Sequence, residues 1–256
     1  MAVCSFRQRE LFFEDIGEGK PILLIHPPGL GRKSFIYQNP LKEQFRLIIP
    51  DLGGHGDSPC EGDYISIDTY VDEIKTILDH LDISKCVLLG YSAGGVIAQE
   101  FTFKFIERVE ILVLAGGYPK VQTVRLKVMH LLGMRTIRER PQLMINVLAK
   151  AHAKTPEAEQ ELRAHMEKAN FNIWYHFYKQ SLYYDCTDRI LQLKVPLLLI
   201  YGGKSDWINN QYRLYKDHPG HELVILEKAK HQLPTLFSNS FNKAVFYYVK
   251  KMLKRE

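Results

Sequence analysis

The chain has 256 residues, 46% hydrophobic and 25% charged, with Lys and Arg exceeding Asp and Glu by five. A chain of this length buries a sizeable core without disulfides or metals, and its mild, dispersed basic excess lacks the aromatic-laced stripe of a nucleic-acid binder. Cys4, Cys60, Cys86 and Cys186 are too scattered for a disulfide framework or a zinc site, there is no apolar leader run at the N-terminus, and no segment reaches the roughly 20 apolar residues of a membrane span. The expectation is a soluble, cytoplasmic protein with no membrane insertion, no metal and no cofactor.

Taken in chain order, Phe6–Gln8 and Leu11–Glu14 suit an antiparallel hairpin at one edge of a sheet. Short, almost continuous apolar runs follow at Ile22–Ile25, Leu47–Ile49, Cys86–Leu89, Ile111–Leu114, Leu197–Tyr201 and Leu223–Leu226. Runs of that kind suit parallel strands covered on both faces. Helical patterns lie between them. In Ser66–Leu81 the residues Ile67, Tyr70, Val71, Ile74, Ile77, Leu78 and Leu81 recur at helical spacing. Strand, helix, strand in this order predicts an α/β fold around a mostly parallel sheet.

The alternation stops near Tyr118 and resumes near Pro196. Thr155-Pro156 has the chemistry of a helix start, with Thr as N-cap and Pro in the first turn. Leu162, His165, Met166 and Ala169 then form a helical stripe, and the aromatic-rich Phe171–Tyr184 follows. Residues 119–189 are read as a helical cap inserted into a core of residues 1–118 and 190–256. Trp174, Tyr175, His176, Phe177 and Tyr178, with Met129, Met134 and Met144, suggest an apolar, aromatic pocket beneath it. The basic cluster Lys250, Lys251, Lys254 and Arg255 reads as the solvated face of a last helix.

One motif carries chemistry. Ser92 sits in Gly90-Tyr91-Ser92-Ala93-Gly94-Gly95, after an apolar strand and before the helix-compatible Gly95–Phe105. This is the strand, sharp turn and helix required to expose a nucleophilic serine. Such a hydroxyl needs a base oriented by a third group. Asp206 follows the run Leu197–Tyr201, and His231 follows Leu223–Leu226, giving the chain order Ser, acid, His. His231 would take the Ser92 proton, Asp206 would hold the imidazole, and the Ala93 N–H would face the oxyanion. His26, Tyr91 and Trp207 are candidate substrate contacts.

With these residues in place, the chain resembles the α/β-hydrolase superfamily, in its esterase and lactonase-like branch with a helical cap, over nearly its whole length. Asp51-Leu52-Gly53-Gly54-His55-Gly56-Asp57-Ser58 looks like that family's Asp-x-x-Gly-x-Gly-x-Ser loop, and Phe241 stands where a Phe often follows the His. Three positions depart from the pattern. Lys230 replaces a common Gly, Leu236 a common Glu, and His26-Pro27-Pro28-Gly29 replaces His-Gly-x-Gly. The resemblance implies that the second residue after His26 donates an N–H to the oxyanion. Here it is Pro28, which has none. Either Gly29 moves in, or a side chain or water substitutes; a cis proline is a further option in this turn.

The resemblance implies a cofactor-free hydrolase acting on a small molecule. Carboxylic ester hydrolysis is the default, with lactone opening, carbon–carbon bond hydrolysis and perhydrolysis open to the same residues. The alternative is a small-molecule-binding or signalling protein on the same fold with little turnover. A P-loop is excluded, because Arg32 stands where Gly must precede Lys33-Ser34. Oligomeric state is not legible.

Overall fold

The computed structural model describes residues 1–254, the side chain of Asp206 excepted. Eight strands form one sheet: β1 (Ala2–Phe6), β2 (Arg9–Ile16), β3 (Lys20–Ile25), β4 (Phe45–Pro50), β5 (Cys86–Tyr91), β6 (Val109–Ala115), β7 (Leu197–Gly202) and β8 (His221–Leu226). Their order is β1-β2-β4-β3-β5-β6-β7-β8. The pairs β1–β2 and β2–β4 are antiparallel, and every pair from β4 through β8 is parallel.

The apolar runs do become strands, buried in all but the last, and alternate residues face opposite ways. Leu23 and Ile25 pack with Leu88 and Leu112 on one side, against α1 (Ile67–His80) and α2 (Gly94–Lys104). Ile22 and Leu24 pack with Val87, Leu89 and Val113 on the other, against the C-terminal helix Ser238–Leu253. Ser66 caps α1 by accepting the Thr69 N–H at 3.1 Å.

The two edges depart from expectation. Arg7 and Gln8 belong to the hairpin turn rather than to a strand, with Arg7 at φ 55°. At the far edge, β8 begins at His221, and Leu223 and Ile225 are exposed. An edge strand has a partner on one side only, and here one face also lacks a covering helix.

Between β6 and β7 the chain inserts four helices: α3 (Val124–Glu139), α4 (Pro141–His152), α5 (Pro156–Met166) and α6 (Phe171–Tyr183). Side-chain caps start three of them: Thr123 on Leu126 N–H, Thr155 on Ala158 N–H, and Asn170 on Asn172 and Ile173 N–H. A proline begins α4 and α5. The short helix α7 (Asp206–Asn209) follows β7, and Ser238–Leu253 is α8. Strand order reverses at β3, whose neighbours are β4 on one side and β5 on the other. Open α/β sheets form a crevice at the carboxyl ends of the strands at such a point. Among the described residues no helix is long and apolar enough to cross a membrane, and no peptide bond is cis.

Candidate active site

Strand β5 ends on Tyr91, and the chain turns sharply at Ser92, whose φ is 53°. A non-glycine residue in this region costs on the order of 1–3 kcal/mol. The turn is tied down on both sides: Ser92 N–H donates to the Ala115 carbonyl at 2.9 Å, and its own carbonyl accepts Gly95 N–H at 3.0 Å. The flanking glycines are required by space. A Cβ at Gly90 would lie 2.5 Å from Gly95 Cα, and one at Gly94 would lie 2.4 Å from the Ile25 carbonyl oxygen.

His231 reaches the same point from the loop after β8. Its Nε2 lies 2.9 Å from Ser92 Oγ. The Trp207 ring stands edge-on to the imidazole at 4.8 Å and the Tyr91 ring lies at 5.5 Å. Burial pushes the imidazole pKa down to about 3, with His152 and His130 adding to the effect. Nδ1 is buried and has no hydrogen-bond partner among the described residues. The third member expected from the sequence, the Asp206 carboxylate, lies outside the described residues.

The two groups open into a cavity of about 160 Å³ between sheet and cap. Tyr91, Trp207, Ala93 and Pro28 line it, as do Tyr118, Tyr178, Leu148 and Met129. No described side chain or backbone carbonyl accepts the Ala93 N–H. Pro28 presents no N–H. Gly29 does not line the cavity; at φ 82° it packs beneath Trp174, where a Cβ would lie 2.0 Å from the indole ring. Gly29 is therefore a packing site for the cap rather than a residue facing Ser92.

His26 also departs from expectation. It is fully buried, donates Nδ1–H to the Pro27 carbonyl at 2.9 Å and accepts Leu52 N–H on Nε2 at 2.9 Å. It braces the loop after β4 and does not face the cavity. Of the aromatic and Met residues expected in the pocket, Tyr178 and Met129 line it, whereas Trp174 and Phe177 are buried in the packing of cap on sheet.

Two links across the cavity were not legible in the sequence. His130 on α3 and His152 on α4 each engage the carbonyl four residues earlier through Nδ1, Leu126 at 2.9 Å and Leu148 at 2.8 Å. Each Nε2 is thereby left as an acceptor facing the core. Tyr118 OH donates to His130 Nε2 at 2.8 Å. Tyr91 OH stands 3.3 Å from His152 Nε2 and 3.2 Å from the His231 carbonyl.

A third cap histidine, His165 on α5, meets Asp51 at 2.9 Å. Asp51 also accepts the N–H groups of Arg32 at 2.7 Å and Asp57 at 2.9 Å. Burial alone would raise the Asp51 pKa, but His165 and Arg32 hold it far below the carboxylate range. Asp51, Asp57 and His165 are spaced closely enough for a cation. The Arg32 guanidinium, paired with both carboxylates, already supplies that charge. The residue that breaks the P-loop pattern is thus the centre of an ion-pair network.

Residues 20–234 match the family model described as alpha/beta hydrolase fold. An uncharacterized protein of Mycobacterium tuberculosis is 37% identical over 113 residues, 42% of this chain and 33% of the relative; such matches span about a third of the relative's length. A 2-hydroxy-6-oxononadienedioate/2-hydroxy-6-oxononatrienedioate hydrolase of Escherichia coli is 26% identical over 262 residues, covering 93% of this chain and 90% of the relative. Among solved structures, a thermophilic esterase from Thermogutta terrifontis superposes with a TM-score of 0.81 at 25% identity, covering 95% of this chain and 94% of that one. The family model covers most of the chain, strained serine turn and facing histidine included, and this protein belongs to the alpha/beta hydrolase fold family.

Proposed function

We propose that the protein is a serine hydrolase that cleaves a small carboxylic ester or lactone through an acyl-enzyme. The observation that carries this reading is the 2.9 Å contact between Ser92 Oγ and His231 Nε2 at the wall of an apolar cavity. A neutral imidazole at that distance accepts the serine proton as Oγ attacks the carbonyl carbon, and returns it to the leaving oxygen. Water then repeats the sequence on the acyl-enzyme. Burial holds the His231 ring in the neutral form that has a free nitrogen lone pair for the serine proton. Asp206 is assigned as the group that orients Nδ1–H and stabilises the imidazolium.

The Ala93 N–H is assigned to the oxyanion. With Pro28 in the second position, one backbone donor is missing, and a donor of this kind contributes about 2.7–4 kcal/mol to the transition state. Slow turnover on simple esters is expected from that loss. The esterase and hydrolase named among the relatives support the reaction class; carbon–carbon bond hydrolysis would draw on the same residues. Pro28 also carries a second reading, a small-molecule-binding or signalling protein with little turnover.

Incubation with a fluorophosphonate, followed by intact mass, separates the two. Single labelling that is lost in Ser92→Ala supports the hydrolase. A folded protein that stays unlabelled sinks it and leaves the binding role.

A further inference from the structure

The outer face of the cap is apolar where a soluble protein surface is ordinarily polar. Val124, Val128 and Leu131 on α3 follow one another at helical spacing, with Leu132 beside them, and the neighbouring α4 exposes Leu143 and Val147 one turn apart. All six are exposed, from 44% at Val128 to 79% at Val124. Isolated exposed leucines need no explanation, but a contiguous patch marks an interaction surface.

The charges around the patch are strongly one-sided. From Val124 to His152 the cations are Arg125, Lys127, Arg135, Arg138, Arg140 and Lys150, against the single carboxylate Glu139. This excess of five equals that of the entire chain, so the rest of the molecule is balanced. Arg135 pairs with Glu139 at 3.0 Å. The other five have no ion-pair partner among the described residues, and Arg138 instead lies over the Tyr175 ring. An apolar strip flanked by unpaired cations is the chemistry of a helix that lies in the plane of a lipid interface.

The patch also adjoins the way into the site. Arg125 and Met129 line a surface cavity together with Trp207, His231 and Gln232, and the last three and Met129 also line the cavity at Ser92. A second copy of the chain is the poorer occupant. A two-fold contact through this face would set its unpaired cations against their own copies.

We propose that the α3–α4 face of the cap docks peripherally on an anionic lipid surface and holds the mouth of the Ser92 cavity against it. The docking itself stands on the patch alone; that the lipid layer delivers the ester to be cleaved rests on the hydrolase reading above.

The test is co-sedimentation with vesicles of phosphatidylcholine alone or with one third phosphatidylglycerol, using both wild-type protein and Ser92→Ala. Basic residues near an anionic surface add to binding one by one, so binding to the mixed vesicles should exceed that to neutral ones by at least about tenfold. Half-molar NaCl should abolish most of the difference, and Val128→Glu with Leu132→Glu should abolish binding, while circular dichroism and thermal melting monitor the fold. Equal binding to both vesicles, or none, overturns the proposal. So does a wild-type dimer in sedimentation velocity that the double variant loses, which assigns the face to a second copy. Anionic-vesicle binding by a protein that never labels at Ser92 would defeat the hydrolase reading and leave the docking intact.

Discussion

The sheet and the cap are held by different physics. In β5 every residue is buried, and the flanking helices cover both faces of the central strands with aliphatic side chains. The cap buries Ile145, Leu162 and Trp174 against that core, and three of its polar attachments are made by histidines. His130 and His152 each turn Nε2 as an acceptor toward a core hydroxyl, that of Tyr118 or Tyr91, whereas His165 Nε2–H donates to the Asp51 carboxylate. An aliphatic contact is indifferent to pH, whereas an imidazole that accepts a hydrogen bond loses it on protonation. The lesson is that two of the cap's seats depend on neutral imidazoles, a dependence that aliphatic packing does not share.

The largest effect should be chemical and should spare both regions. Ser92→Ala and His231→Ala are each expected to lower ester turnover by at least about 10³-fold with melting temperatures near wild type. Wild-type kcat/KM in either pure variant would refute the assignment. Asp206→Asn sharpens it: a carboxylate at Nδ1 raises the imidazole pKa, so its loss should move the acid limb of the pH–rate profile downward. An unmoved limb would assign the orienting role elsewhere.

Next in size is the scaffold itself. Leu89→Ala, in a fully buried strand, should cost about 2–5 kcal/mol in urea unfolding. Leu132→Ala on the exposed cap face should change stability by less than about 0.5 kcal/mol. Similar costs would mean that the cap face is covered in solution.

The pH dependence follows from buried imidazoles. Burial lowers the pKa of His26 and His152 to about 4, and of His55 to about 3, as it does that of His231. Below about pH 6.5 the unfolded chain takes up protons that the folded one refuses, so stability falls with pH until the folded values are reached. Each group contributes about 1.4 kcal/mol per pH unit. Glu73 opposes them, because burial lifts its pKa to about 6 and the folded state then holds a proton that the unfolded one has lost. Urea midpoints should therefore drop steeply from pH 6 to pH 5. His152→Gln should remove about one histidine's share of that slope, and an unchanged slope would show that His152 is not held neutral.

A more local effect concerns one seat. Tyr118→Phe should cost about 1 kcal/mol, the net value of a single hydrogen bond, and should speed proteolysis within residues 124–152. No change in either would mean that the His130 link does not hold the cap.

The parallel strands were legible because burial on both faces writes itself as a continuous apolar run, and Thr155 announced its helix as a capping residue. The serine turn was equally plain, since its geometry demands small neighbours at positions 90 and 94. The outward face of α3 was not. Val124, Val128, Leu131 and Leu132 are apolar on the solvent side, so periodicity does not say which stripe is core. Pairs such as His165 with Asp51, 114 residues apart, leave no local trace. His26 was misread for the same reason: its partner is a backbone N–H from the loop after β4, which no spacing encodes.

Tyr91 has one hydroxyl hydrogen and two acceptors, His152 Nε2 and the His231 carbonyl, at nearly equal distances. When α4 lifts away, that hydrogen passes wholly to His231, and little bonding is lost. Tyr118 OH instead has His130 Nε2 at 2.8 Å and the Ser181 hydroxyl beside it. The two links are therefore unequal: loss of the His152 contact leaves the Tyr91 hydrogen an acceptor on the loop that carries His231, whereas loss of the His130 contact takes the only nitrogen acceptor that Tyr118 has among the described residues.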